Sequence, residues 1–135
     1  MRRYWLSLFL LFVSTQVFAQ DSISSDILSR VNETRQSMGI APLVFNAELQ
    51  VTAQNHSNDM ASVDVLSHVG TDGSQFWERM QSAGYNLSTG AENVLSRSDT
   101  VPESVFNQWF NSDPHGINML NADYSEVGIA YARAE

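Results

Sequence analysis

Glu126-Val127-Gly128-Ile129-Ala130-Tyr131-Ala132 is the stretch on which the fold class turns. Val127, Ile129 and Tyr131 fall on one side of an alternating pattern, and Gly128, Ala130 and Ala132 on the other. A period of two is that of a β-strand, and small residues along one face let another element approach the backbone closely. Upstream of this stretch the apolar spacing is helical. Ile27, Val31 and Met38, with Thr34 between them, predict a first helix that Gly39 stops. Ala41-Pro42-Leu43 reads as an extended link, after which Asn46 caps a second helix with Leu49, Ala53, His56 and Met60 on its buried face. Ser67 to Ser74, with Gly70 and Gly73, reads as loop. A third, shorter helix is expected from Ser74 to Ala83, burying Phe76 and Met80 and closed by Gly84. Residues 86–99 are irregular around Gly90-Ala91-Glu92-Asn93. Thr100-Val101-Pro102-Glu103 has the form of a capping box with an early proline. It opens a fourth helix that carries Val105, Trp109 and Ser112 on one face and that Asp113-Pro114 ends. Helices around a sheet of few strands make the class α+β.

The amino terminus speaks to destination. Arg2 and Arg3 precede an apolar run from Tyr4 to Val13 broken only by Ser7, and Val17-Phe18-Ala19 offers small residues at the cleavage positions. Residues 1–19 therefore read as a secretory signal peptide cut after Ala19. A membrane anchor needs about 20 consecutive apolar residues, and Ser14, Thr15 and Gln16 cut the run short. With no cysteine to carry a lipid either, no stable membrane anchor is expected, and the destination is secreted or periplasmic. Residues 20–26 read as a polar leader and 27–135 as the domain; about 116 residues remain after cleavage, enough for one core, and a monomer is expected.

The chain carries 7 basic and 15 acidic residues, a net charge of −8. Loss of the signal leaves only arginines on the basic side and makes the domain more acidic still. Such a surface repels phosphate backbones, so nucleic-acid binding is excluded as a working reading. Zero cysteines exclude a disulfide framework and a thiol nucleophile, leaving packing or a metal to supply stability.

There is no HExxH, GxSxG or Walker glycine loop. The remaining candidates are three histidines and a few carboxylates. His56, on an apolar helix face, reads as a hydrogen-bonded core histidine. His68, in Ser67-His68-Val69-Gly70, and His115, in Asp113-Pro114-His115-Gly116, lie where the chain changes direction, and Glu92 lies in a third such segment. Loops held by a scaffold are where sites are built. Two imidazoles and a carboxylate suit a divalent metal with an open position, although separations of 24 and 23 residues do not by themselves bring them together.

Taken in order, Val31-Asn32-Glu33-Thr34-Arg35 through Gly39-Ile40-Ala41-Pro42-Leu43, Asn46 to Met60, Ser67 to Ser74, Arg79 to Tyr85, Gly90-Ala91-Glu92-Asn93, Trp109-Phe110-Asn111-Ser112, His115-Gly116-Ile117-Asn118-Met119-Leu120 and Tyr124 to Tyr131 resemble the CAP superfamily. That superfamily comprises the cysteine-rich secretory, antigen 5 and pathogenesis-related proteins, and the likeness is to its cysteine-free bacterial SCP-like members. The resemblance implies an α-β-α sandwich with a small antiparallel sheet between helical layers. It implies a cleft in which His68, Glu92 and His115 match family positions, with Asn93 and Ser112 beside them; in metal-binding relatives the two matching histidines can hold zinc or another divalent ion, a role open here to His68 and His115 with Glu92 nearby. Ser112 stands where the family's second glutamate falls, and Ala91 where Gly or Cys usually precedes the first. Relatives usually continue past the position of Glu135 with a further aromatic strand, so either this sequence is a piece of a longer one or the sheet lacks an edge strand.

Three readings of function stay open at this point. The first is a binding module for a small ligand, lipid or extracellular protein, which the resemblance favours and which would not be an enzyme. The second is a metal-dependent, peptidase-like hydrolase using the same cleft. It is weakened because serine cannot replace a carboxylate in proton transfer at neutral pH. In the third, the histidines and Glu92 only brace loops.

Overall fold

The computed structural model describes residues 10–134, with side chains from Ser22 onward. Arg2, Arg3 and the start of the apolar run lie outside the described residues. In chain order the elements are α1 (Leu10–Ser37), β1 (Val44–Phe45), α2 (Ala47–Val63), α3 (Phe76–Ser82), α4 (Pro102–Phe110), α5 (Asp113–Met119) and β2 (Glu126–Val127). The α+β class follows. No described helix is long and apolar enough to cross a membrane.

The buried stripe of α1 runs Ser24, Ile27, Leu28, Val31 and Arg35, at helical spacing. Because Ser24 lies one turn before Ile27 and Leu28, residues 20–26 are not a separate leader but part of this helix. Ser24 is buried and donates to the carbonyl of Ile129 at 2.8 Å. The helix ends as expected on Gly39, in the left-handed region at φ 73°, with Ile40 N–H bonded back to the Arg35 carbonyl. Met38, expected on the buried face, is 57% exposed. Arg35 occupies the inward position instead, and its guanidinium donates to the carbonyls of Ala41 (2.7 Å), Met119 (2.8 Å), Asn121 (3.0 Å) and Tyr124 (2.9 Å).

Asn46 caps α2 as its sequence predicts, accepting Leu49 N–H at 3.0 Å. The face that α2 buries is Leu49, Thr52 and His56, while Ala53 and Met60 are half-buried. Helix α3 is shorter than expected and leaves Phe76 and Met80 half-buried; Gln75 N–H is bound by Glu78 at 2.8 Å at its start. Val101 rather than Thr100 is the N-cap of α4, with Asp99 accepting Val101 N–H. Asp113-Pro114 ends α4 and also opens α5, a helix the sequence reading missed. A proline that cannot continue one helix is at home in the first turn of the next.

The sheet corrects two expectations. Its described strand pair is parallel, Val44 opposite Glu126 and Phe45 opposite Val127, not antiparallel. The chain leaves β1 through α2 and returns to β2 only after α5, a crossover connection of the kind a parallel pair needs. The strand expected over residues 126–132 pairs through Glu126–Val127 alone. Beyond it, polar side chains of α2 take over the ladder: Gln50 accepts Ile129 N–H (3.0 Å) and donates to the Ile129 carbonyl (2.5 Å). Ser57 and Gln54 donate to the carbonyls of Ala130 and Tyr131. Backbone groups must find partners, and here helix side chains supply them. The small-residue face does what its pattern implies, since a methyl at Gly128 would overlap the backbone of Leu49 and Gln50. Leu28, Val31, Leu43 and Met119 form the core, joined by Phe106, Trp109, Tyr124, Val127 and Ile129. Helix α1 packs on α4, and α2 on α3 and β2.

Candidate functional site

Glu92 is the hub. Its segment lies opposite the loop between α2 and α3, and that loop is shaped by its own polar groups. Asp59 of α2 accepts Thr71 N–H (2.8 Å) and the Thr71 hydroxyl (2.5 Å), Gly70 N–H binds the Ser74 carbonyl, and Val69 N–H binds Ser67 Oγ. A methyl at Gly70 would meet Ser74 Oγ and Asp72 Oδ1, so a side chain there would push aside the polar groups that shape the loop. This loop places His68 so that its Nδ1 lies 2.9 Å from Glu92 Oε1, while the other carboxylate oxygen takes Arg79 Nη2 at 2.6 Å.

Arg79 and Glu92 are 12% and 15% exposed at their side chains, so the pair is sheltered and its charge-assisted bond strong. Arg79 also donates to the carbonyls of Ser74 (2.8 Å) and His68 (3.1 Å), tying α3, the loop and Glu92 together. His56 lies beneath, with Nε2 at 2.8 Å from the Ser67 carbonyl and 3.9 Å from Glu92 Oε1. It is 3% exposed and hydrogen-bonded, the core histidine its helical position implies.

An ionised carboxylate only accepts, so the Nδ1 of His68 carries the proton and the neutral ring keeps a lone pair at Nε2. His68 is 53% exposed at its side chain, so that lone pair belongs to an imidazole open to solvent. A carboxylate behind one ring nitrogen is the arrangement that orients a histidine for a metal or another acceptor at its other nitrogen.

The remaining candidates form a second group at the α4–α5 corner. His115 Nδ1 lies 3.0 Å from Ser112 Oγ, the N-cap residue of α5. Asn93 donates to the His115 carbonyl (3.1 Å) and accepts from Asn118 (2.9 Å). Gly116 lets this corner close, since a methyl there would overlap the Phe110 carbonyl. The structure thus joins His68 to Glu92, and His115 to Ser112 and Asn93. Adjacent residues Glu92 and Asn93 link the two groups through the backbone. No hydrogen bond among the described residues joins His68 or Glu92 to His115.

A divalent metal would have the Nε2 atoms of His68 and His115 on offer, each ring having Nδ1 hydrogen-bonded. Glu92 is taken by His68 and Arg79. Among the described residues no three His, Asp or Glu side chains gather as a ligand set, so the rest of a metal's coordination would come from ligand or water. Sequence reasoning assigned no site role to Arg79 or Asn118, although both lie in stretches that carry the family resemblance. The available signal for Arg79 was its place one turn after Phe76, on the inward side of a short helix in a chain with few basic residues.

Comparison with known proteins agrees with this architecture. The cysteine-rich secretory protein family matches residues 28–135. YkwD of Bacillus subtilis is 30% identical over 125 residues, covering 90% of this chain and 48% of that protein. The membrane protein YlbC of the same organism is 27% identical over 114 residues, covering 84% of this chain and 33% of its own length. The chain therefore spans half or less of these relatives. An extracellular SCP-domain protein of Bacillus anthracis superposes with a TM-score of 0.79 at 20% identity, over 84% of this chain and 38% of that one. A cysteine-rich secretory protein of Staphylococcus aureus gives 0.69 at 26% identity, over 85% and 36%. An outer surface protein of Borrelia burgdorferi gives 0.64 at 19% identity, over 79% and 78%. With the ordered motifs, the helices packed about a small sheet and the family match in agreement, this chain belongs to the cysteine-rich secretory protein (CAP) family.

Proposed function

We propose that the domain is an exported binding module whose cleft presents His68, with His115 nearby, to a small ligand, lipid or extracellular partner, directly or through a divalent metal such as zinc. One observation carries the reading. Glu92 spends both oxygens on orienting His68 and neutralising Arg79, leaving a solvent-reachable imidazole whose Nε2 has no partner among the described residues. That is a preorganised contact, an imidazole already oriented for whatever meets its Nε2. The hydrolase reading would use the same Glu92-oriented imidazole as a general base, and it is the less favoured because among the described residues no metal-ligand set gathers to activate a water and Ser112 offers only a hydroxyl to His115. Export rests on the amino-terminal pattern of residues 1–19 and on relatives described as extracellular or outer-surface proteins. Any bound metal would be held by His68 and His115 and would supply a Lewis-acidic contact for an anionic or carbonyl group of the ligand.

Zinc titration of the domain by calorimetry, with His68→Ala and His115→Ala beside it, tests the metal-assisted form. The expected result is saturable binding that both substitutions weaken at least tenfold. Equal affinity in all three proteins overturns it.

A further inference from the structure

Of the three side chains that meet at His68, only Arg79 stands on regular secondary structure. His68 lies in the loop between α2 and α3 and Glu92 in an irregular segment, whereas Arg79 is in the middle of α3. That helix is fixed at both ends. Glu78 accepts Gln75 N–H at its start, and just past its end the Tyr85 hydroxyl donates to Glu126 of β2 at 2.8 Å. Groups carried on helices are placed more precisely than groups carried on loops. The guanidinium is therefore the fixed point from which the other two take their positions.

Its contacts close a ring on one residue. Arg79 Nη2 donates to the backbone carbonyl of His68 at 3.1 Å and to Glu92 Oε2 at 2.6 Å, and Glu92 Oε1 faces His68 Nδ1 at 2.9 Å. His68 is thereby held twice, by its main chain directly and by its imidazole through the carboxylate. Nη1 adds the Ser74 carbonyl at 2.8 Å, which pins the far side of the same loop. The bond between Arg79 and Glu92 joins opposite full charges and is the shorter of the carboxylate's two. Without it, the one hydrogen bond left to the carboxylate among the described residues is to the ring it orients. Arg79 Nε is buried with no partner among the described residues. Native structures seldom leave a buried donor unsatisfied, and here one edge of the guanidinium forgoes a partner while the other serves His68 and Glu92.

We propose that Arg79 is the positioning residue of the His68 contact: it fixes the carboxylate and the loop backbone together, and so sets which ring nitrogen faces the ligand. This role presupposes the proposed function, in which an oriented imidazole is the contact. Arg79 itself touches no ligand; its charge is spent on Glu92, and its action reaches the ligand only through His68. A lysine at this position would keep the charge. Its shorter, single-headed ammonium cannot grip the carboxylate, the His68 carbonyl and the Ser74 carbonyl together.

The test is imidazole ¹⁵N NMR of the wild-type chain, Arg79→Met and Arg79→Lys, with circular dichroism to show that each is folded. The His115 ring, to which Arg79 makes no hydrogen bond among the described residues, is the internal reference. In the wild type the neutral His68 ring is expected in the Nδ1–H form. Arg79→Met, which keeps the buried stem, should abolish that bias and let the ring average between tautomers; Arg79→Lys should fall between, and His115 should not change in either. If Arg79→Met does not fold, Arg79→Lys carries the test. The role of Arg79 is overturned if a folded variant shows the same Nδ1–H bias as the wild type, or if His115 changes as much as His68, which would mark a general loosening. A wild-type His68 ring already averaging or in the Nε2–H form overturns the binding reading itself, and this role with it.

Discussion

Replacing Arg35 by methionine keeps most of the buried stem and deletes the guanidinium, which is 0% exposed and has four carbonyl partners. These carbonyls belong to the turn after α1, to the last residue of α5 and to the segment leading into β2. The substitution therefore unties three parts of the chain from one another. A buried acceptor left without a donor costs about 1–3 kcal/mol. Only the Met119 bond is fully buried, and each carbonyl has a second lone pair, so the low end applies: about 1 kcal/mol each, roughly 4 kcal/mol together. Burial lowers the pKa of Arg35, which shows that the native site holds the charge at a desolvation cost. Removing that cost offsets part of the loss, and a net of about 3–4 kcal/mol is the expectation. Against a total of about 5–15 kcal/mol this is a large fraction, and it lowers Tm by roughly 10–20 °C. Arg35→Lys should fall between, because an ammonium cannot span four carbonyls. Urea denaturation followed by circular dichroism measures both. A loss below about 1 kcal/mol for Arg35→Met, with an unchanged m-value, would refute the view of Arg35 as the tie between α1, α5 and β2.

Other substitutions probe other contacts. Gly128→Ala forces a methyl into the backbone of Leu49 and Gln50 and should cost about 1–3 kcal/mol in the same denaturation assay. Glu92→Gln leaves sheltered Arg79 without its carboxylate and should cost about 3 kcal/mol, while Glu103→Gln, whose partner Arg30 is 3.9 Å away on the surface, should cost under 1 kcal/mol. The folded-state pKa values of Asp59, Asp72 and Asp99 are depressed by hydrogen bonds from Thr71, Ser74 and Arg97 respectively. Their contribution to stability is therefore complete above the unfolded value of about 3.9 and is lost as pH falls below it. Thermal melts should be flat through neutral pH and fall in that acid window, with a shallower fall in Asp59→Asn. Burial and a hydrogen bond to Glu126 raise the pKa of Tyr85, so its contribution is present below about pH 10 and fades above it; Tyr85→Phe should flatten that alkaline limb.

Much of this architecture is legible in the chain because it is local. Asn46 announces its helix by one side-chain bond, Gly39 a stop by its left-handed φ, and Gly128 a close approach by lacking a side chain. What is not legible depends on distant partners or on signals with two meanings. Asp113-Pro114 marks the end of one helix and the start of another in the same letters. The parallel pairing of Val44-Phe45 with Glu126-Val127 leaves no trace in alternation, since both β1 residues are exposed. Arg35 sits on an apolar stripe at the spacing of a core residue, yet its charge argues for the surface until four carbonyls are seen around it. In the candidate site, His68, Glu92 and His115 stand out as chemically capable residues where the sequence predicts changes of chain direction, although His115 lies within α5. That Glu92 meets His68 and Arg79 is decided by loop closure across 24 and 13 residues, which spacing does not encode, whereas His115 meets Ser112 within one turn.

The most direct test of the binding account is the protonation pattern of one ring. With Glu92 behind it, neutral His68 should appear in imidazole ¹⁵N NMR as the Nδ1–H tautomer with an unprotonated Nε2, and zinc should perturb Nε2 while Nδ1–H persists. A His68 ring in the Nε2–H form, or one averaging freely between tautomers, would contradict the claim that this site presents an oriented imidazole for binding.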